Sequence, residues 1–264
     1  MPVRKRVGRV PPSWADLRER VEACRACPRL VRWREALATA GRARGDPPHW
    51  GRPVMGYGDP DAELILIGLA PAAQGANRTG RVFTGDRAAR FLVSALYAEG
   101  FANQPFSESR EDGLRYRGTY LSLAVRCVPP ENKPTPQEVH RCRPFLLEEL
   151  ALLPRARVLL PLGRIAYDQV RWAAGAQYGH AGRFPPFAHG LRYPLGPGAP
   201  VVYASYHPSP RNVQTGLLTE ASFREVLQAL KGDLLGSYPT RGARAGHHPP
   251  RQVPPPGRGP RAKL

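Results

Sequence analysis

Four short apolar segments alternate with stretches of helical periodicity, and this alternation limits the fold more than any other feature of the chain. The apolar segments are residues 63–69, 118–125, 157–162 and 200–205, each of a length that suits a strand buried on both faces. Parallel strands need long crossover connections, and the helical stretches between these segments supply them. We therefore predict an α/β fold: a three-layer α/β/α sandwich with a central parallel four-stranded sheet.

Helix-start signals locate the covering helices. Ser13 with Asp16 opens a helix that we predict to continue to the Leu30 region. Thr135 precedes a proline at the first helical position and has Glu138 three residues after it, which is a capping-box pattern. Further helices are predicted over 86–99, from 163 onwards and over about 215–235.

Charge separates a folded body from two basic ends. The formal net charge is +18, and the first ten and last twenty-four residues carry ten of the positive charges and no acidic residue. We predict a basic disordered arm over 1–10, one folded domain over 11–237 and a disordered Pro/Arg-rich tail over 238–264. Without those ten charges the body keeps +8, which favours a polyanionic partner, with nucleic acid ahead of a membrane surface. A basic protein without such a partner is the plainer interpretation.

Cysteine usage indicates a set of ligands. No stretch is apolar for long enough to span a bilayer, and no signal-peptide apolar core follows the first charges, so we expect a soluble cytoplasmic protein with reduced thiols. All four cysteines fit one pattern, a Cys-x-x-Cys pair and two later residues: Cys24, Cys27, Cys127 and Cys142. Four thiolates suit tetrahedral zinc or a four-iron, four-sulfur cluster, and unrelated buried thiols beside a redox pair are the alternative.

Two unusual loops follow predicted strands and should meet, because ligands of parallel sheets bind outside the carboxyl ends of the strands. The first, GLAPAAQGANRTGRVFTGD, runs from residue 68, is rich in small residues and carries a single carboxylate, Asp86. The second, SYHPSPRN, has two prolines that stiffen the turn after His207. Two residues that could reach a phosphate or a base close this loop: Arg211 and Asn212. An ordinary proline turn is the plainer interpretation of the second loop taken alone.

Together these residues resemble the uracil-DNA glycosylase superfamily, and most closely its family 5, the type B iron–sulfur glycosylases. The resemblance rests on the first loop, on AVRCVPPENKPTP (residues 124–136), on HPSPRN (residues 207–212) and on the four cysteines in the same order along the chain. It covers about residues 13–235 and leaves out both basic ends.

The resemblance implies an activity, a cofactor and a partner. Members of the family remove uracil from DNA, and this branch also accepts hypoxanthine and some other damaged bases. A [4Fe-4S] cluster held by the four cysteines would order DNA-facing segments rather than carry out redox chemistry. We thus expect a hydrolytic DNA glycosylase of base-excision repair that acts as a monomer on single- or double-stranded DNA and has no membrane partner.

Residue roles follow from the chemistry that such an enzyme needs. Breaking an N-glycosidic bond places positive charge on the sugar and negative charge on the departing base. Asp86 is the candidate that stabilises the cation or orients water, and His207 is the candidate donor to the base oxygen. Phe83 could stack on the flipped base. The small residues that begin at Gly68 and include Ala70 leave the backbone open to a base or a phosphate.

Three positions depart from patterns elsewhere in the superfamily. Ala70-Pro71-Ala72 stands where several families place an acid or an asparagine, and as family 5 implies, this shifts the catalytic role to Asp86. Gln74 replaces a histidine carried by many relatives. Leu123 replaces an asparagine that reads uracil in family 4, so we expect weaker discrimination between bases.

Two residues have two interpretations each. Asn132 either supplies a base contact or caps the loop before the Thr135 helix. Arg211 either enters the duplex as a wedge or clamps a phosphate, and both would make DNA binding depend strongly on salt.

Two other functions stay open at this point. One is a non-catalytic binder of damaged DNA. A superfamily branch traps its DNA with a histidine in a basic insertion, and RAARFLVSAL, the stretch after Asp86, has neither. The other is a nucleic-acid-binding domain held together by zinc, which would be colourless where an iron–sulfur protein is brown.

Overall fold

The computed structural model describes residues 13–43 and 49–235. The two ends that we predict to be disordered, and the first two and last two residues of the expected 11–237 body, lie outside the described residues. The helices are α1 (Trp14–Glu22), α2 (Pro28–Ala43), α3 (Ala76–Thr79), α4 (Arg87–Ala98), α5 (Pro136–Ala151), α6 (Arg164–Tyr178), α7 (Pro210–Gln214) and α8 (Glu220–Leu235). The strands are β1 (Tyr57–Gly58), β2 (Leu64–Gly68), β3 (Thr119–Leu123), β4 (Val158–Pro161), β5 (Arg192–Pro194) and β6 (Val201–Tyr203).

Four parallel strands form the centre of the sheet, in the order β3-β2-β4-β6. The predicted parallel four-stranded centre is therefore confirmed. Each edge carries one further strand, which is antiparallel: β1 pairs with β3, and β5 pairs with β6. The sequence did not reveal these edge strands because segments of two and three residues are too short to show an apolar alternation.

Side chains of the central strand β2 alternate between two apolar cores. Leu64 and Leu66 lie in the core that includes residues of α4 and α8, whereas Ile65 and Ile67 lie in the core that includes residues of α5 and α6. Helices thus cover both faces of the sheet, and the predicted three-layer sandwich is confirmed. Within the described ranges, no helix has the length and apolar character needed to cross a lipid bilayer.

Capping boxes begin two of the helices, as the sequence predicts. Ser13 accepts a hydrogen bond from Asp16 N at the start of α1, and the Asp16 carboxylate accepts one from Ser13 N. Thr135 and Glu138 make the same reciprocal pair at the start of α5. Each pair satisfies amides that the first turn of a helix leaves open.

Two predicted helix bounds are wrong. The helix that begins after Ser13 ends at Glu22 instead of continuing to Leu30, because the chain turns at the Cys-x-x-Cys segment and Pro28 starts α2. The last helix begins at Glu220 rather than near residue 215, since the short helix α7 and a turn precede it.

Candidate active site

The carboxyl ends of the parallel strands lie along one edge of the sheet, where backbone hydrogen bonds join the loops that leave them. Ala124 N donates to Gly68 O at 2.9 Å, which joins the loops after β2 and β3. Gly163 N donates to Ser205 O at 2.7 Å, which joins the loops after β4 and β6. The two loops that we expected to meet therefore leave the same edge.

Asp86 is the N-cap of α4, and this position gives its two carboxylate oxygens different surroundings. Oδ1 accepts a hydrogen bond from Ala89 N at 2.8 Å and so satisfies an amide at the open end of the helix. Oδ2 faces Gly75 so closely that a Cβ on that residue would lie 2.0 Å from it. Burial raises the pKa of Asp86, although the amides of Ala89 and Ala88 and the charge of Arg78 oppose that shift. Oδ2 is thus the carboxylate oxygen that the Ala89 cap does not use.

Phe83 holds an unusual backbone conformation next to the end of β2. Its φ of 47° lies in the left-handed region, which bulky residues rarely adopt. Its ring packs against Gly68, where a Cβ would lie 2.9 Å from Phe83 Cζ and 3.0 Å from Leu123 Cδ2. The absence of a side chain at Gly68 therefore allows the ring to approach the strand, and Leu123 completes an apolar wall.

His207 brings the loop after β6 to this wall. The centroid of its ring lies 6.1 Å from that of Phe83, with the two planes tilted by 30°. Its Cβ lies close to Gly163, where an added Cβ would come within 3.3 Å. Part of the residue is exposed, but the protein around the ring excludes water and lowers the pKa of His207 to about 4. The imidazole is therefore neutral near pH 7 and keeps one N–H donor.

Asn212 and Ser209 hold the turn that follows His207. Ser209 N donates to His207 O at 2.8 Å, and Asn212 Nδ2 donates to the same oxygen at 2.9 Å. The Ser209 hydroxyl accepts from Asn212 N as the N-cap of α7. Arg211 is exposed on this helix. The Asn212 amide, which we expected to contact DNA, thus positions the histidine turn, while Arg211 remains open to a ligand.

Asn132 projects from the loop after β3. It is exposed and has a φ of 58°, a left-handed conformation that asparagine adopts more readily than most residues. The cap of α5 belongs to Thr135 instead. Both interpretations of Asn132, a base contact and a cap of the loop before α5, remain predictions.

The cysteines lie around a small apolar cluster that borders the candidate site. Cys27, Cys127 and Cys142 are buried in this cluster, which packs against Ala70 of the loop after β2. Cys24 is partly exposed, and a negative charge on it would raise the pKa of Cys127 and Cys142. Residues far apart in sequence thus bring their sulfurs to one region. Within the described ranges, no group of three or more His, Cys, Asp or Glu side chains is arranged to hold a single metal ion.

Hydrogen-bond donors point at two of the sulfurs. Arg34 Nη1 donates to Cys127 Sγ at 2.9 Å, and Arg126 N donates to Cys142 Sγ at 3.3 Å. Burial raises the pKa of Cys127 to about 11 and that of Cys142 to about 12. The buried Nε of Arg34 has no hydrogen-bond partner in the part of the chain that the structure describes. A buried cation with an unused donor beside thiols fits an anionic group bound between them.

Comparison with known protein families identifies the family of this chain. The family described as "Uracil DNA glycosylase superfamily" matches residues 55–231, which is more than half of the chain. The chain belongs to the uracil DNA glycosylase superfamily. The match contains Asp86, His207 and two of the cysteines, and it begins after Cys24 and Cys27.

Curated relatives confirm the placement of this superfamily member in family 5. A type-5 uracil-DNA glycosylase of Thermus thermophilus is 50% identical over 209 residues, which make up 79% of this chain and 93% of the relative. One of Pyrobaculum aerophilum is 42% identical over 224 residues, 84% of this chain and 95% of the relative. A type-4 enzyme of Thermotoga maritima is 30% identical over 149 residues, 56% of this chain and 60% of the relative.

Two residues of the glycosylase site escaped the sequence analysis. Gly75 lies in a loop with several glycines, so nothing in the sequence distinguishes the one that faces Asp86. Arg34 had a usable signal. It lies seven residues after Cys27 and four after the buried Leu30, which places a cation on the buried face of α2.

Proposed function

We propose that this protein is a DNA glycosylase that hydrolyses the N-glycosidic bond of uracil in DNA and leaves an abasic site for base-excision repair. The observation that carries the proposal is the packing of the Phe83 ring near a neutral His207 at the carboxyl edge of the sheet, three residues before the Asp86 N-cap, in a chain of this superfamily. The type-5 relatives support uracil as the base that is removed.

The apolar wall would receive a base that has left the stack. Phe83 offers a ring face for stacking, and Ala70 is partly exposed with a small side chain, whereas the Phe83 ring covers the backbone at Gly68. Leu123 presents no amide to the base, so this wall cannot test the hydrogen-bond pattern of uracil. The proposal therefore includes other deaminated bases such as hypoxanthine. Asn132 is the exposed polar residue that would supply a remaining base contact.

Asp86 and His207 would act on opposite charges of the transition state. As the bond between C1′ and the base nitrogen breaks, its electron pair leaves with the base and the sugar becomes positively charged. Asp86 Oδ2 would stabilise that charge or orient the water whose oxygen bonds to C1′. His207 would donate its N–H to the base oxygen on which negative charge develops. The neutral ring can fill this role because it still carries one N–H donor.

Arg211 would contact the DNA strand from the exposed start of α7, as a wedge or as a phosphate clamp. Asn212 would act through the His207 turn. The proposal treats residues 11–237 as one catalytic domain that works as a monomer on single- or double-stranded DNA.

The cysteines would hold a [4Fe-4S] cluster with a structural role. Cys24, Cys27, Cys127 and Cys142 supply the four thiolates that such a cluster needs, and the Arg34 cation offsets part of its negative charge. The contact of Ala70 with the cysteine region would connect the cluster to the loop that receives the base.

A panel of damaged oligonucleotides tests the proposed function. Single- and double-stranded substrates that carry uracil, hypoxanthine or xanthine are incubated with the full chain and then treated with alkali, which cuts the strand at abasic sites. We expect scission of the uracil substrates and weaker scission of the others. Retained binding without scission on any substrate would instead support a damaged-DNA binder.

Iron and sulfide analysis tests the cofactor. We expect a brown protein with about four iron and four sulfide per chain. Cys127→Ala should lose most of the iron, whereas Ala26→Ser, an exposed change inside the Cys-x-x-Cys segment, should keep it. A colourless chain that holds one zinc would contradict the cluster and leave the glycosylase proposal untouched.

A further inference from the structure

A buried polar network holds the loop of residues 80–86. At its centre lies Arg81, which is only 3% exposed. Its Nε donates to Thr84 Oγ1 at 2.8 Å, and its Nη2 donates to Ser107 Oγ at 2.9 Å and to Asp112 Oδ2 at 2.7 Å. The Thr84 and Ser107 hydroxyl oxygens lie 2.6 Å apart. We name these four residues the loop brace.

The second half of the loop brace belongs to a separate loop, residues 103–117. Asp112 orders that loop around itself, because Oδ2 accepts from Glu108 N at 2.7 Å and Oδ1 accepts from Leu114 N at 2.9 Å. Ser107 O accepts from Gly85 N at 2.8 Å, which adds a backbone bond between the two loops. The loop brace is therefore fixed on both sides.

The loop brace surrounds the residues that the proposed chemistry uses. Arg81 and Thr84 stand on either side of Val82 and Phe83, and Gly85 leads directly into Asp86. A left-handed φ such as that of Phe83 persists only where the surrounding structure enforces it. Hydrogen bonds before and after Phe83 meet that requirement.

We infer that Arg81, through its pair with Asp112, is a positioning residue for excision. It fixes where the Phe83 ring and the Asp86 carboxylate lie, and it does not touch the DNA. This inference rests on the proposed glycosylase function. The side chains of Arg81 and Asp112 are 3% and 9% exposed, so a substrate cannot reach their charges. A displacement of about 1 Å at a reacting group can lower a rate about 100-fold, so a loosened loop 80–86 should slow excision.

Single-turnover excision of uracil from a short duplex, measured well below each variant's melting temperature, tests this role. We expect Arg81→Met to slow excision about 100-fold and Asp112→Asn about tenfold. Arg81→Lys keeps the charge and should recover part of the rate. Affinity for the same duplex with an abasic-site analogue should stay within about twofold, because neither the base nor the catalytic carboxylate is needed for that contact.

Glu99→Gln is the matched control. Glu99 sits at the other end of α4 in a partly buried ion pair with Lys231 at 2.6 Å. Loss of this ion pair in Glu99→Gln should lower the melting temperature and leave the excision rate unchanged. Thr84→Val, which removes one shared hydroxyl, covers the case in which Arg81→Met does not fold, and it should slow excision about three- to tenfold.

The outcomes separate the two proposals. If the wild-type chain excises no base, the proposed function fails. If the wild type is active and Asp112→Asn and Thr84→Val excise uracil at its rate, the positioning role fails. A parallel loss of rate and of abasic-site affinity would also overturn it, since that result would indicate a general loss of structure.

Discussion

Replacing Asp86 with asparagine should lower the excision rate about 100- to 1000-fold and, at the same time, raise the melting temperature at neutral pH. Asparagine caps a helix as well as aspartate does, so the bond from Ala89 N survives the change. The negative charge that we propose stabilises the transition state from Oδ2 is lost. Because burial raises the pKa of Asp86, its ionised form opposes folding at pH 7, and the neutral amide removes that cost.

The pH dependence of this gain follows from the direction of the shift. A carboxyl with a raised pKa binds its proton more tightly in the folded state, so the cost of ionisation is absent once both states are protonated. The stability advantage of Asp86→Asn should therefore shrink as the pH falls from the raised folded-state pKa towards the carboxyl's ordinary value of 3.8, and it should be absent below that value. Calorimetry across this range, beside excision assays, measures both effects.

Two controls separate the cap from the chemistry. Asp86→Ala removes cap and charge together, so it should lose activity and also about 1 kcal/mol of helix stability. Ser13→Ala removes a cap from α1 and should lose stability without loss of excision. An Asp86→Asn protein that excises uracil at the wild-type rate would exclude the carboxylate from catalysis.

Replacing His207 with glutamine should also lower excision about 100- to 1000-fold, with little change in affinity for abasic DNA, because the proposed role of this donor is to bond the departing base. The pKa of His207, about 4 in the folded protein, lies below its ordinary value of 6.5. The folded state therefore gains stability above pH 6.5 and loses it as the pH falls towards 4. His207→Gln should show less of this acid destabilisation than the wild type.

Histidine ring signals in NMR spectra measure the same property directly. We expect the signal of one histidine ring to show a neutral ring until about pH 4, and we expect this signal to be absent from His207→Gln. His140→Gln, a change at an exposed histidine, should leave both that signal and excision intact. A ring at position 207 that titrates near pH 6.5 would contradict the neutral donor.

The strands were predictable because a strand buried on both faces must be apolar, and four such runs fall on β2, β3, β4 and β6. Parallel topology alone then predicts that the loops carrying Asp86 and His207 leave the same edge of the sheet. Two things stayed hidden. The break before Pro28 depends on the turn that carries Cys24 and Cys27. Strands β1 and β5 have only two and three residues and are defined by their antiparallel pairing with β3 and β6.

The supports of the site were harder to predict than its reactive groups. Asp86 and His207 stand out because a lone acid and a histidine between prolines are unusual in their loops. Arg81 and Asp112, which are thirty-one residues apart, look like ordinary charged loop residues in a basic chain, and only the fold shows that they are buried together. The fold is also needed to show that one Asp86 oxygen accepts from Ala89 N while the other faces Gly75.

The capping position of Asp86 has a consequence for how the gene can change. Every codon for aspartate begins with guanine and every codon for asparagine begins with adenine, so a G-to-A transition exchanges the two. An unrepaired deamination of the cytosine opposite that guanine produces this transition. Because asparagine still caps α4, the resulting protein would fold well and bind DNA but excise uracil about 100- to 1000-fold more slowly. A uracil lesion in the gene for this enzyme can thus inactivate the enzyme without a folding defect. The loss of excision would then appear as a higher mutation rate in the lineage.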